Sequence, residues 1–415
     1  MTPAALPGRR LGSVFNSDIN NILHASSGAQ ATPEEYTRAV DAILDLRPGL
    51  LAQNVGMPDP VIYPSAVATP WDRYHEEVTE EVWPDSDPQV NARQPGAMRA
   101  LRDAGTDPLS LTVQACRRRG VPLVASYRMN AEDFYHASYR LSDFGRVHAD
   151  LRVPGAGCLD PLHPVVFEQR LAIFREVVER FEVDGLELDF RRWYHMISAP
   201  VENHAVLTRL VRACRQVLDE AARTRGCGRL LLGARVGPSL DSEPTPLVFP
   251  GIFYPEKPTN ASCRELGLDV ATWLAEGLVD YLCPSLFLDG LPGLPLTREF
   301  AALAQGTDTG IYPTLWGFSA WMHGIGERVI TLETADQGAQ ALFKDDLCSA
   351  ALRMHEDGAD GISTYNWYAH LRNAGMPNVW TEGIPGAGGD AVLTAVHPLL
   401  PDPEALRRYR ATPRI

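Results

Sequence analysis

Asp184-Gly185-Leu186-Glu187-Leu188-Asp189-Phe190-Arg191 alternates apolar and charged side chains from Leu186 onward. Successive side chains on a β-strand point to opposite faces. Leu186, Leu188 and Phe190 therefore share one face, and Glu187, Asp189 and Arg191 share the other. The apolar face is expected to pack against helices. The charged face then points into an enclosed interior, where carboxylates are costly unless paired or hydrogen-bonded. Two readings are open: a pocket of catalytic groups, or a buried network tying Glu187 and Asp189 to Arg128, Arg191 or Arg235. Asp189 lies nearer the C-terminal end of the strand, where the catalytic groups of barrel enzymes collect.

Seven further segments read as strands: Gly12–Asp18, Leu50–Val55, Val121–Asn130, Leu230–Val236, Tyr281–Phe287, Ile311–Trp316 and Gly361–Trp367. Helical patterns separate them. Thr32-Pro33-Glu34-Glu35 has an N-cap, a first-turn proline and a capping-box glutamate. Arg93–Arg119 holds helical segments stopped by Gly120. Pro164–Phe181 places Val165, Leu171, Phe174 and Val178 near helical spacing. Asn203–Thr224, Asp269–Gly277, Thr297–Ala304 and Asp336–Asp357 complete the set. Eight strands with a helix between each successive pair predict an α/β chain, a parallel sheet closed into a (β/α)8 TIM barrel. Three junctions match one another, each a helix end, a tight turn with Gly or Asp and a buried strand: Phe181-Glu182-Val183-Asp184-Gly185-Leu186, Gly277-Leu278-Val279-Asp280-Tyr281 and Asp357-Gly358-Ala359-Asp360-Gly361-Ile362. The long stretches Met57–Gln94, Ala131–Leu162 and Gly237–Ser262 all follow strands and gather long βα loops on one rim, as an active face needs. The barrel is expected over 11–376, with 377–415 as a C-terminal tail wrapping it.

The 415 residues carry 38 Lys+Arg and 52 Asp+Glu, a net charge of −14. That balance argues against nucleic-acid or anionic-membrane partners, which need clustered basic charge. No run of about 18 apolar residues offers a membrane span. The N-terminal MTPAALPGRRLGSVFNSD has no apolar run after its charges, so no secretory leader is read. Seven scattered cysteines do not form a disulfide framework, and a reducing cytoplasm is the expected location. His-x-His, HExxH and clustered Cys/His spacings are absent, so no metal is expected. Nucleotide-binding and serine-hydrolase motifs are also absent, and no cofactor is expected. Lys257 and Lys344 are the only lysines, which disfavours a Schiff-base lyase.

The ends of the other strands repeat the polar pattern. Asn16 and Asp18 share a face of the first strand, and Asn54 sits near the end of the second. Arg128 and Asn130 share a face of the third with Ser126. Arg235 opposes Ala234 and Val236 on the fifth. Tyr312, Thr314 and Trp316 share a face of the seventh, and Tyr365 and Trp367 end the eighth. With Trp193 after the fourth strand and His136 in the loop after the third, the mouth is lined by Asn, Arg, Asp, Trp and Tyr. Aromatic faces stack on sugar rings, while Asn, Asp and Arg bind vicinal hydroxyls. A carbohydrate ligand is therefore expected, handled by an enzyme or by a barrel that binds glycans without turnover.

Val183-Asp184-Gly185-Leu186-Glu187-Leu188-Asp189-Phe190-Arg191-Arg192-Trp193, the earlier Ala125-Ser126-Tyr127-Arg128-Met129-Asn130, and the helical stretch from Leu159 to Phe181 resemble the glycosyl hydrolase-like family 10 group of bacterial barrels. The resemblance spans roughly Leu11 to Trp367 by strand order, with its sharp motifs on the third and fourth strands. It implies a carbohydrate substrate, with Asp189 and Arg128-Met129-Asn130 in the pocket. Against the chitinase-type motif DGxDxDxE, Glu187 and Asp189 fall on the two inner Asp positions, but Arg191 stands where the catalytic Glu would be. In barrels of the alpha-galactosidase type an Asp ending the fourth strand is the nucleophile and an Asp after the sixth strand is the acid/base. Asp289 stands at that second place.

Glycoside hydrolysis needs one carboxyl that stays ionised and one that donates a proton. Asp189 is read as the nucleophile, favoured in its ionised form by a neighbouring Arg, in a mechanism expected to be retaining. Asp289 is the first candidate acid and Glu187 the second, with Asp133, Glu132 and Asp18 in reserve.

Overall fold

The computed structural model describes residues 11–18, 31–73, 88–129, 142–155, 158–191, 196–241, 261–286, 294–316, 337–365 and 387–412. Its strands are β1 (Ser13–Ser17), β2 (Leu50–Gly56), β3 (Leu123–Arg128), β4 (Gly185–Asp189), β5 (Leu231–Val236), β6 (Tyr281–Pro284), β7 (Gly310–Ile311), β8 (Thr314–Trp316) and β9 (Ile362–Tyr365). All pairings are parallel, in the order β7-β6-β5-β4-β3-β2-β1-β9-β8. β7 and β8 are two halves of one stave, parted by Tyr312-Pro313. Proline has no N–H to give a ladder, and the stave changes partner there: Tyr312 donates back to Leu282 O, while Ser363 donates to Pro313 O. Through this broken seventh stave the nine segments close an eight-stave barrel, the (β/α)8 architecture expected.

The helices read between the strands are present, and Asp143–Val147, Ala387–Val396 and Pro403–Ala411 are added to them. They are α1 (Pro33–Leu44), α2 (Pro88–Asp103), α3 (Pro108–Arg119), α4 (Asp143–Val147), α5 (Pro164–Arg180), α6 (Pro200–Arg225), α7 (Val270–Ala275), α8 (Thr297–Leu303), α9 (Gln337–Glu356), α10 (Ala387–Val396) and α11 (Pro403–Ala411). Thr32 caps α1 by accepting from Glu35 N, and Gly120 ends α3 at φ +65°. On α5 the buried side is Val166, Phe167, Ile173, Phe174, Val177 and Val178. Of the residues read from spacing, Phe174 and Val178 belong to it and Leu171 is half-buried, but Val165 is 42% exposed. Val165 stands in the first turn, one position off the buried row, and faces out.

The three matching junctions have one mechanical role. Asp184 donates its N–H to Leu123 O and accepts Leu123 N–H on its carboxylate at 2.8 Å. Asp280 does the same with Leu232, and Asp360 with Ile311. Each aspartate thus locks the foot of its strand to the preceding stave and fixes the stagger of the barrel. Gly185 completes one such foot, since a Cβ there would lie 2.0 Å from Leu231 O.

Leu186, Leu188 and Phe190 join the large core between sheet and helices, and Ala234 and Val236 do likewise. A smaller core fills the barrel floor with Val14, Leu50, Ala52, Val124, Leu231, Tyr281, Cys283 and Tyr312. After β9 the described chain resumes at α10, where Val392, Leu393 and Val396 enter the outer core. His397 then packs on the Phe15 ring and reaches Leu46 O at 3.0 Å. Burial pushes its pKa down to about 4, so it serves as a neutral packing group. The segment set apart as a tail therefore contributes helical cover over β1 and β9. Among the described residues, no helix is long and apolar enough to cross a membrane.

Candidate active site

The mouth of the barrel is built from side chains that leave the inner face at the ends of β1, β3, β4, β5, β6 and β9. Asp189 ends β4 and is 2% exposed. Its Oδ1 accepts the Arg191 backbone N–H at 2.9 Å, so the chain turning out of β4 orients the carboxylate. Its Oδ2 accepts from Arg235 Nη1 at 2.9 Å. Arg235, next to Asp189 in register on β5, also donates to Ser285 Oγ at 2.9 Å, and its guanidinium lies 3.9 Å from the centre of the Tyr365 ring. Such stacking on an aromatic face is favourable for a cation. Arg191 does not pair with Asp189 through its side chain; its Nε donates to Ser285 O at 2.7 Å.

Across the mouth, Asp18 follows β1 and forms a buried ion pair with Arg128 from β3. Tyr365 Oη donates to Asp18 Oδ2 at 3.3 Å and accepts from Arg128 Nη2 at 3.4 Å. Tyr365 thus stands between two arginine–aspartate pairs, touching one with its hydroxyl and the other with its ring. Asn16 lies nearby, donating to Ser363 Oγ at 3.1 Å. Asn54 is buried, and its Oδ1 has no hydrogen-bond partner. Thr314 Oγ1 is likewise buried and unpartnered. A buried polar atom left unpaired costs about 1–3 kcal/mol, and a ligand that donates to Asn54 would remove that cost.

Glu187 lies two residues below Asp189 on the same face and is 0% exposed. Ser126 Oγ donates to its Oε1 and Tyr281 Oη to its Oε2, both at 2.9 Å. Burial pushes its carboxyl up to about 7, and the charge of Asp189 adds to this; the Ser126 and Tyr281 hydrogen bonds and Arg235 oppose it. The four carboxylate oxygens of Glu187 and Asp189 all have partners, but only one of them meets a guanidinium. Of the buried network left open as the alternative reading, the Asp189–Arg235 pair is present, while Glu187 is held by the neutral donors Ser126 and Tyr281.

Tyr281 reaches Glu187 from β6 by lying across β5, where the residue aligned with Glu187 is Gly233. A Cβ at Gly233 would sit 2.0 Å from Tyr281 Cζ and 2.4 Å from its hydroxyl. Gly233→Ala is accordingly expected to displace Tyr281 from Glu187 and to destabilise the fold by about 1–3 kcal/mol, measurable by denaturant unfolding.

Of the residues predicted for the site, the structure brings together Asn16, Asp18, Asn54, Arg128, Glu187, Asp189, Arg191, Arg235 and Tyr365 on the inner strand faces and at the mouth. Trp316 falls within β8, and its side chain lies outside the described residues. Asn130, Glu132, Asp133, His136, Trp193, Asp289 and Trp367 also lie outside them. Tyr281, Ser285 and Ser363 were missed. The same alternation that found Glu187 and Asp189 finds them too: Tyr281, Cys283 and Ser285 share one face, as do Ser363 and Tyr365. Among the described residues no group of His, Cys, Asp or Glu is arranged to hold a metal ion.

No protein-family model and no curated protein matches the chain. Among solved structures it is similar to a GH18 chitinase from Cycas revoluta in complex with allosamidin, at 13% identity over 93% of this chain and 98% of that one, TM-score 0.42. It is similar to alpha-L-fucosidase isoenzyme 2 from Paenibacillus thiaminolyticus, at 12% identity over 89% of this chain and 49% of that one, TM-score 0.42. It is also similar to a variant of AmyP in complex with maltotriose, at 12% identity over 100% of this chain and 82% of that one, TM-score 0.43. Likeness at this level assigns neither a substrate nor a mechanism to the chain, and its barrel class rests on its own strand order.

Proposed function

We propose that this chain is a glycoside hydrolase acting on a poly- or oligosaccharide, with Asp189 as nucleophile. The observation that carries the proposal is the placement of Asp189: at the C-terminal end of β4, one oxygen fixed by the Arg191 backbone and the other by Arg235. A carboxylate held in this way has a defined direction of attack and a counter-charge beside it. Asn54 supplies an acceptor for a sugar hydroxyl, since its Oδ1 still needs a donor. Asp18 is committed to Arg128 and Tyr365, and Glu187 is sealed one layer down. Asp289, after β6, is therefore the acid in this reading, and the retaining course and the resemblance to the glycosyl hydrolase-like family 10 group belong to the same proposal.

A panel of aryl glycosides and unmodified oligosaccharides tests it. Released phenol or shortened glycan is the expected result, and absence of product with every member overturns hydrolysis. Asp289→Asn separates the two carboxyl roles. An activated dinitrophenyl leaving group departs without protonation, so that variant is expected to keep cleaving the activated glycoside and to lose unactivated oligosaccharides by about 10²–10⁴-fold. The burial of Asp189, with both oxygens already engaged, favours a second reading, a glycan-binding barrel without turnover. Glycan binding in calorimetry with no product in the panel would establish it.

A further inference from the structure

The proposed reaction leaves one inner carboxyl without a task. Glu187 is fully buried, and its two oxygens are held by neutral donors from β3 and β6. The site is built to hold it: Gly233 on β5 leaves the room through which the Tyr281 ring passes to reach it. Directly above, Arg235 pairs with Asp189 and not with Glu187.

We propose that Glu187 and Tyr281 are a positioning pair that acts on the reaction through Asp189, by controlling how many anions share Arg235. With Glu187 protonated, Asp189 is the sole anion of β4 set against that guanidinium. When Glu187 ionises, a second negative charge enters the layer beneath, Arg235 is drawn toward it, and its hold on Asp189 weakens. The groups facing Glu187 are Asp189 on its own strand, Ser126 with Arg128 beyond it on β3, Arg235 on β5, and Tyr281 and Cys283 on β6. Burial sets the change near neutral pH, since it pushes the Glu187 carboxyl up to about 7. Turnover is thus expected to fall as pH rises through this region. The inference rests on the reading of Asp189 as nucleophile.

Two measurements test it. The first is the pH profile of turnover on whichever aryl glycoside the panel identifies. The near-neutral limb is expected in the native chain and absent in Glu187→Gln. In Tyr281→Phe it moves to higher pH, because the Tyr281 hydrogen bond stabilises the ionised form. A purely structural Glu187 would lower activity equally at every pH and leave the limb in place, which would overturn the proposal. The second needs no turnover. The pH dependence of the thermal midpoint is recorded for the native chain, Glu187→Gln, Asp189→Asn and the double variant. The Glu187-dependent step, read as the difference between each pair with and without Glu187, is expected at lower pH when Asp189 is Asn, because the Asp189 charge raises the Glu187 carboxyl. A step at the same pH in both backgrounds overturns the coupling. If no glycoside is cleaved, the proposed function falls, and the midpoint measurement still decides whether Glu187 senses Asp189.

Discussion

Asp189→Asn is expected to lower turnover on the order of 10⁴-fold or more, as loss of a nucleophile does, and to leave the barrel folded. The amide is nearly isosteric with the carboxylate and keeps an acceptor for Arg191 N–H, so the turn out of β4 retains its anchor. What it loses is the ion pair. Removing one partner of a buried pair costs about 3–5 kcal/mol when the other charge is stranded. Arg235 is only partly stranded, because Ser285 Oγ and the Tyr365 ring still hold it. A lowered thermal midpoint with an unchanged far-ultraviolet circular dichroism spectrum is the expected outcome. Full activity in this variant would refute the assignment. Asp189→Gly adds a positive readout: in a retaining enzyme the space left by the carboxylate admits azide, which displaces the leaving group in one step, and azide-dependent release of a glycosyl azide of inverted anomeric configuration marks a lost nucleophile. A group that merely positions another shows no such rescue.

The barrel was legible in the sequence because its evidence is local and repeated. Leu186, Glu187, Leu188 and Asp189 declare their two faces by alternation alone, and the structure puts the apolar pair in the outer core and the carboxylates inside. The junctions at Asp184, Asp280 and Asp360 were visible as a pattern. Their role was not, because a carboxylate accepting the N–H of the preceding strand is a contact across some 50 to 60 residues. Pairing within the site was hidden for the same reason. Arg128, Arg191 and Arg235 are equivalent donors in a sequence, the barrel register sets both Arg128 and Arg235 beside Asp189, and only the folded side chains give Arg235 to Asp189 and Arg128 to Asp18. Nothing in the sequence singles out Gly233. Its meaning appears only when the Tyr281 ring is seen filling the place of its missing side chain.

Glu187 also makes a thermodynamic prediction that does not depend on any substrate. Its ordinary value is 4.5, and in the fold it is pushed up to about 7. Below about pH 4.5 it is protonated in both folded and unfolded chains, and its neutral form sits in the interior without a charge to bury. Between 4.5 and about 7 the folded chain keeps a proton that the unfolded chain has released, so stability falls as pH rises. Across that window the loss amounts to about 3 kcal/mol, at 1.36 kcal/mol per pH unit. Above it both states are ionised and no further change follows from this group. Glu187→Gln keeps an acceptor and similar volume but cannot ionise. Its stability relative to the native chain is therefore expected to rise by about 3 kcal/mol between about pH 4.5 and pH 8, as measured by urea unfolding at each pH. Because the two chains share every other titrating group, their difference reports Glu187 together with the groups coupled to it. Parallel curves would mean that Glu187 is ionised at the foot of the window, and would place it among carboxylates that the barrel holds charged.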